Sequence, residues 1–160
     1  MTKTPVQFRH NGTDVAVFVD GGANLLSALR DGVSDTSPKF GCGQGTCGAC
    51  TILLDGEPRL ACLTLAETAA GGSVETADGL KTGPELHPLQ AAFMAAFAAQ
   101  CGFCTPGMLM AAKALLDRNP SPSRAEVVEA ISGNICRCTG YEPIIEAVLA
   151  AAGSGGRRRA

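Results

Sequence analysis

Aromatic residues are scarce in this chain of 160 residues, which contains no tryptophan, one tyrosine and six phenylalanines. A hydrophobic core must therefore be mostly aliphatic. Fifteen acidic and thirteen basic residues give a net charge of −2, and three of the basic residues, Arg157, Arg158 and Arg159, lie together near the C-terminus. A mildly acidic body with so few aromatic side chains argues against nucleic acid as a partner.

Long apolar segments are missing as well. The longest strongly apolar run, residues 91–99, is far too short to cross a bilayer, so we expect no membrane span. The first ten residues, MTKTPVQFRH, do not resemble a signal peptide, and the expected location is therefore cytoplasmic. Thiols stay reduced in that compartment, so the eight cysteines indicate metal binding or catalysis rather than disulfides.

The patterns of common catalytic sites are also absent. There is no Ser-His-Asp set, no carboxylate pair at a useful spacing and no phosphate-binding glycine loop, so we predict no catalytic residue on this chain. His10 and His87 are isolated, and we interpret each as a surface or capping histidine rather than a ligand. Phe93, Met94 and Phe97 lie at helical spacing and are predicted to pack in a core.

The first half of the chain has the pattern of strands and turns. Two hairpins are predicted, with turns at Asn11-Gly12 and Asp55-Gly56, because these dipeptides tolerate the positive φ of tight turns. Asn24 is placed to cap a short helix between the hairpins. The predicted strands are residues 6–10, 15–19, 51–54, 58–61 and 73–76. Two hairpins around one helix indicate a β-grasp domain.

The second half has the pattern of four short helices, which predicts a small bundle. The first, second and fourth helices are expected to end near residues 99, 119 and 153, respectively. No end is predicted for the third helix. Their starts are marked by Pro88, by Thr105 as a cap before Pro106, by the capping box of Ser123 and Glu126, and by Pro143.

The predicted fold class is α+β. We expect a β-grasp domain over residues 1–76, a linker over 77–85, a four-helix domain over 86–152 and a disordered tail over 153–160. Two domains of this size are each marginal on hydrophobic burial alone. An additional stabilising cross-link, such as a metal centre, is therefore expected beside the hydrophobic core.

The cysteines divide into two sets of four, one in each half of the chain. The first set has the spacing C-x4-C-x2-C with a further cysteine after eleven residues, which is the plant-type 2Fe–2S pattern. The glycines of GCGQGTCGAC allow the backbone to approach a cluster closely. Zinc fits this loop poorly, and a Rieske centre requires two histidines that the motif lacks. The first set is Cys42, Cys47, Cys50 and Cys62.

The second set combines a C-x2-C pair with a C-x-C pair thirty-one residues later. By spacing alone, this set is equally compatible with a zinc ion and with an iron–sulfur cluster. Both pairs lie at predicted helix ends, where loops at one end of a bundle can converge on one centre. A disulfide is disfavoured by the compartment, and a thioredoxin-like role lacks the required βαβ pattern. The second set is Cys101, Cys104, Cys136 and Cys138.

Three motifs, GCGQGTCGACTILLDG, QCGFCTPGM and NICRCTGY, closely resemble the iron–sulfur subunit of the xanthine dehydrogenase family of molybdenum hydroxylases. The resemblance covers nearly the whole chain. It implies two 2Fe–2S clusters, one in a β-grasp ferredoxin-like domain and one in a four-helix domain. It further implies that the first cysteine set holds the cluster nearer the electron exit, and the second set the cluster nearer the molybdenum.

The same resemblance implies specific contacts with a large subunit that binds molybdopterin. Gln100 matches the family glutamine that hydrogen-bonds this cofactor, and Cys138 matches the cysteine whose sulfur approaches the pterin. Electrons would then pass to FAD on a medium subunit, or to another acceptor such as a cytochrome. The substrate, whether a purine, another N-heterocycle, an aldehyde or carbon monoxide, is selected on a different chain.

Two other functions compete with this interpretation. A free-standing ferredoxin would carry electrons for several enzymes, but it would need neither the helical half nor Gln100. A zinc-stapled interaction module would use the same cysteines without redox chemistry, and it would be colourless. We therefore predict the electron-transfer subunit of a multi-subunit molybdenum-dependent oxidoreductase.

Overall fold

The computed structural model describes residues 3–153. Most of the predicted tail, including Arg157, Arg158 and Arg159, lies outside the described residues, and Gly153 is the last residue of the final helix. The strands are β1 Lys3–His10, β2 Thr13–Asp20, β3 Thr51–Leu54, β4 Glu57–Leu60 and β5 Ser73–Glu75. The helices are α1 Leu25–Ser27, α2 Pro88–Ala95, α3 Thr105–Arg118, α4 Arg124–Ile131 and α5 Glu142–Gly153.

Both predicted hairpins are confirmed. At the first turn Asn11 and Gly12 have φ of 48° and 84°, and at the second Asp55 and Gly56 have 53° and 80°. Positive φ at both central residues is the geometry that matches the twist of the flanking strands. Asn24 caps α1 as predicted, with its side-chain oxygen accepting a hydrogen bond from the Ser27 N–H at 2.9 Å.

The five strands form one mixed sheet in the order β2-β1-β5-β3-β4. β5 runs parallel to β1 between the two hairpins, which is why strands distant in sequence become neighbours. Val6 and Phe8 alternate with exposed residues along β1, so one face of this strand is buried. That face packs on α1, and a π-helical turn over Ala28–Val33 continues α1. This arrangement is the predicted β-grasp domain.

Strand β3 is buried on both faces and joins the two halves of the molecule. Ile52 packs in the core of the sheet domain, whereas Leu53 packs in the core of the helical domain; neither is exposed to solvent. An ion pair adds to this contact, with Lys113 Nζ on α3 lying 3.6 Å from a carboxylate oxygen of Glu75 on β5. The halves therefore share an interface, while the residue limits of the predicted domains and linker remain predictions.

The four predicted helices are present, with two differences at their ends. α2 ends at Ala95 rather than near residue 99. Cys104, not Thr105, is the residue that precedes α3, and Thr105 is its first helical residue. The capping box of Ser123 and Glu126 is confirmed at the start of α4. Within residues 3–153, no helix has the length and apolar character needed to cross a membrane.

Two of the three residues predicted to form a core on α2 are exposed. Phe93 is buried, but Met94 is 66% exposed and Phe97 is 82% exposed. The helix ends before Phe97, whose φ is 52°, so this side chain leaves the helical face that Phe93 occupies. The core prediction was therefore wrong for Met94 and Phe97. His87 is confirmed as a capping histidine, because its side chain accepts a hydrogen bond from the Leu89 N–H.

A buried carboxylate connects the end of β1 with the loop that leads to Cys42. Asp35 Oδ2 accepts a hydrogen bond from the Thr76 hydroxyl at 2.6 Å and lies 2.9 Å from His10 Nε2. Asp35 Oδ1 accepts one from the Ser37 N–H at 2.8 Å. His10 is therefore partly buried, and its interpretation as a surface or capping histidine was wrong. Burial opposes ionisation, but the hydrogen bonds from His10, Thr76 and Ser37 outweigh it and hold the pKa of Asp35 well below its usual range.

We expect Asp35→Asn to lower the free energy of unfolding by about 1–3 kcal/mol at neutral pH, because Thr76 and Ser37 lose a charged acceptor. Since the pKa of Asp35 is depressed in the folded protein, its contribution is present above the unfolded pKa of about 3.9 and is lost as the pH falls towards the folded pKa. Chemical denaturation at several pH values measures this difference. Asp31→Asn, at an exposed position, is the control, and an equal loss in both variants would contradict the prediction.

Candidate metal centres

The first cysteine set lies between α1 and β3 and just after β4. Three of its members share the loop before β3, and Cys62 follows β4, so the second hairpin delivers the fourth thiol to that loop. Cys47 lies close enough to Cys42 and Cys50 to affect the pKa of both thiols, and Cys62 affects that of Cys50. The hairpin therefore brings together the four cysteines that the sequence predicted.

Backbone N–H groups of the loop point at a sulfur of this set. The N–H of Thr46 lies 3.3 Å and that of Gln44 3.5 Å from Cys42 Sγ. Hydrogen bonds from Thr46, Gln44 and Cys47 lower the pKa of the Cys42 thiol to about 5. N–H donors that stabilise a thiolate in this way also suit the electron-rich sulfurs of an iron–sulfur cluster.

Two glycines explain why the chain can wrap so closely around these thiols. A Cβ at Gly41 would lie 2.8 Å from Cys47 Sγ, which is closer than any real contact of this kind. Gly45 has a φ of 83°, and a Cβ there would overlap the side chain of Leu63. The loop thus forms a close cradle, as the glycine-rich motif predicted.

The second cysteine set lies in two loops at one end of the helical bundle. Cys101 and Cys104 lie between α2 and α3, and Cys136 and Cys138 between α4 and α5. Cys138 Sγ is 3.5 Å from Cys101 Sγ, and Cys136 lies close enough to Cys101 and Cys104 to affect the pKa of both thiols. The predicted convergence of the two loops is therefore present.

Three residues near the second set position Cys136 and were not identified from the sequence. The Cys136 N–H donates to the Tyr141 hydroxyl at 2.9 Å, and that hydroxyl donates to the Asn134 carbonyl at 3.3 Å. The Thr139 hydroxyl oxygen lies 3.1 Å from Cys136 Sγ. All three lie in NICRCTGY, so the motif itself was the available signal.

The thiols in each set differ strongly in acidity. Burial raises the pKa of Cys50 to about 11 and that of Cys104 to about 12. The pKa of Cys101 is lowered, first by a hydrogen bond from the backbone of Phe103. Thiolates are the species that bind metal, so the buried cysteine of each site must lose its proton when a metal centre binds. The positive charge of the metal then takes the place of that proton.

The donor set fits a 2Fe–2S cluster at each site. Such a cluster is held by four cysteine thiolates, two on each iron, and each set supplies four cysteines from neighbouring loops. Within residues 3–153, no group of three or more His, Cys, Asp and Glu side chains is arranged around a single metal ion.

Exposure differs between the two sides of the second set. Cys104 and Cys136 are buried, whereas Cys101 and Cys138 are exposed. Gln100 is also exposed and directly precedes Cys101. One edge of this site therefore reaches the surface beside Gln100, and the opposite edge faces the interior of the protein.

The two sites meet at the interface between the two halves. The Ile135 N–H donates to the Cys47 carbonyl at 2.9 Å, and Asn134 Nδ2 donates to the Gly48 carbonyl at the same distance. Ile135 directly precedes Cys136, so a single hydrogen bond connects the backbones of the two cysteine loops. Small residues allow this approach, since a Cβ at Gly107 would overlap the Gly48 carbonyl oxygen.

Comparison with known proteins assigns both halves to described families. Residues 8–73 match the model of a 2Fe–2S iron–sulfur cluster binding domain, and residues 76–149 match that of a [2Fe–2S] binding domain. The chain is 51% identical to the nicotine 6-hydroxylase small subunit of Paenarthrobacter nicotinovorans, over 92% of this chain and 89% of that one. It is 43% identical to the nicotinate dehydrogenase small FeS subunit of Eubacterium barkeri, over 92% and 94% of the respective chains.

Solved structures agree with these matches. A chain in the crystal structure of quinoline 2-oxidoreductase from Pseudomonas putida 86 superposes with a TM-score of 0.93 at 48% identity, over 97% of both chains. The aldehyde oxidoreductase from Desulfovibrio desulfuricans ATCC 27774 superposes with a TM-score of 0.90 at 44% identity, over 96% of this chain and 17% of that one. Both halves are 2Fe–2S binding domains, and the chain belongs to the iron–sulfur subunits of the xanthine dehydrogenase family of molybdenum hydroxylases.

Proposed function

We propose that this chain carries electrons from the molybdopterin site of a large partner subunit, through two 2Fe–2S clusters, to a flavin subunit or another acceptor such as a cytochrome. We assign the ligands of the first cluster to Cys42, Cys47, Cys50 and Cys62, and those of the second to Cys101, Cys104, Cys136 and Cys138. When bound, each cluster supplies a centre that accepts and releases one electron.

The observation that carries this proposal is the hydrogen bond from the Ile135 N–H to the Cys47 carbonyl. It connects a residue next to one proposed ligand with the backbone of another, and so links the two sites through bonds rather than across open space. Asn134 donates a hydrogen bond to the Gly48 carbonyl across the same interface, and Gly107 leaves room for this approach.

The entry side of this route is assigned to the exposed edge of the second site. Gln100 is exposed beside Cys101, which suits its proposed hydrogen bond to the molybdopterin of the large subunit. Cys138, also exposed, is proposed to bring its sulfur towards the pterin. The thiols of Cys104 and Cys136 are buried in the core of the helical domain, on the side of the site away from this edge.

The partners and location follow from the same proposal. A medium subunit with FAD is the expected acceptor, and a cytochrome is the alternative. The proposed substrate class is an aromatic N-heterocycle or an aldehyde, in line with the names of the relatives, and it binds on the large subunit. We place the complex in the cytoplasm.

Purification of the tagged chain from its own host tests this function. We expect larger subunits to copurify, the preparation to be red-brown, and chemical reduction to produce two distinct 2Fe–2S EPR signals. Iron should amount to about four atoms per chain, with negligible zinc.

Three results would contradict the proposal in different ways. Zinc in place of iron would identify a zinc-stapled interaction module. Both clusters in a chain that purifies without larger subunits would identify a free-standing ferredoxin. A single EPR signal from fully loaded protein would contradict the assignment of two separate cysteine sets.

A further inference from the structure

A buried hydroxyl group beside the second site has no hydrogen-bond partner. The side-chain oxygen of Thr105 is inaccessible to solvent and makes no hydrogen bond to any protein atom. Leaving such a group unsatisfied costs about 1–3 kcal/mol, so an unpaired hydroxyl in a native protein calls for an explanation. Thr105 directly follows Cys104, a proposed ligand of the second cluster.

The local backbone explains why Thr105 does not use its ordinary partners. A threonine that caps a helix accepts a hydrogen bond from a later N–H, but the cap position belongs to Cys104, which makes no side-chain cap. A threonine inside a helix bonds to a carbonyl one turn earlier. Thr105 is the first residue of α3, so it has no preceding helical turn to bond with.

Neighbouring threonines at the two sites are satisfied. The Thr139 hydroxyl pairs with Cys136 Sγ at 3.1 Å, and the buried Thr51 hydroxyl donates to the Gly48 carbonyl at 2.7 Å. The hydroxyl of Thr105, by contrast, is unpaired at the N-terminal end of α3 and next to Cys104. The first N–H groups of α3 and its dipole favour negative charge at that same end.

We propose that the Thr105 hydroxyl donates a hydrogen bond to a sulfur of the cluster in the second cysteine set and thereby raises its reduction potential. This inference rests on the ligand assignment of the proposed function. Reduction adds negative charge to the cluster, and a donor aimed at its sulfur stabilises the reduced form more than the oxidised form. Thr105 is therefore a positioning and tuning residue, not a catalytic one.

The test is an EPR-monitored redox titration of the purified complex with the wild-type chain, Thr105→Val and Thr105→Ser. Valine has nearly the shape of threonine but no hydroxyl, whereas serine retains it. We expect Thr105→Val to lower the potential of the second cluster. The first cluster, read in the same titration, should keep its potential, and Thr105→Ser should restore the wild-type value of the second. A repacking effect of the side chain would not reproduce this pattern.

Unchanged potential of the second cluster in a fully loaded Thr105→Val complex would overturn the inference, as would equal shifts of both clusters. If Thr105→Val does not retain the second cluster, Thr105→Ala is titrated in its place. Loss of that cluster from both hydroxyl-free variants but not from Thr105→Ser would support the hydrogen bond, and its loss from Thr105→Ser as well would overturn it. Absence of a second 2Fe–2S signal from the wild-type complex would instead refute the proposed function.

Discussion

Cys104→Ser should eliminate one of the two 2Fe–2S EPR signals and lower the iron content by about half. Cys104 is buried in the core of the helical domain, and burial raises the pKa of its thiol to about 12. A serine hydroxyl is far less acidic than a thiol and is a much poorer ligand for the iron of a cluster. Because binding of a metal centre is coupled to folding, the helices should also unfold at a lower temperature, measured by circular dichroism during heating.

The matched control is Cys62→Ser in the first set, which should have the reciprocal effect. It should eliminate the other EPR signal, while the helical domain keeps its cluster. Loss of both signals in both variants would contradict the assignment of one cluster to each half. Retention of both signals in Cys104→Ser would show that Cys104 is not a ligand.

Gly48→Ala should destabilise the protein by about 3 kcal/mol and weaken the contact between the two cysteine loops. Gly48 has a φ of 68°, which strains any residue with a Cβ. That Cβ would also lie 2.8 Å from the Asn134 Cα and would overlap the Gly133 carbonyl oxygen. These obstacles are backbone atoms, so the two halves would have to move apart. Thermal unfolding and the loss of visible absorbance on heating measure the effect.

Gly71→Ala separates backbone strain from this overlap. Gly71 has a similar φ of 75°, but a Cβ there would meet no atom within 4 Å. We expect only the strain, about 1–2 kcal/mol, with both EPR signals unchanged. If the two variants lost equal stability, close packing at Gly48 would not be what holds the interface together.

Local patterns were sufficient where the determining interaction lies within a few residues. Asn11-Gly12 and Asp55-Gly56 adopt the positive φ that their composition predicted, and Ser123 forms its capping box. The helix ends around the second set were predicted less well. Thr105 has the residue type of a cap, but it is already the first helical residue, and Cys104, with a φ of −80° and a ψ of −18°, takes the cap position.

Contacts between distant segments could not be predicted in this way. Phe97 was expected in the core on helical spacing, but the chain leaves the helix before it, with a φ of 52°. His10 looked isolated because Asp35, its partner, lies twenty-five residues away. Such pairs form only when the sheet and the loops around it are assembled, and single-sequence periodicity contains no information about them.

The sequence by itself determined the donor atoms of this protein. Eight thiols at these spacings, with glycines around the first set, define which atoms can bind metal and in which two groups, because spacing along a loop or helix end limits what one centre can reach. Tertiary structure decided how the two groups relate. The burial of β3 on both faces, the hydrogen bond from Ile135 to Cys47 and the exposed edge at Cys101 all result from packing one domain against the other.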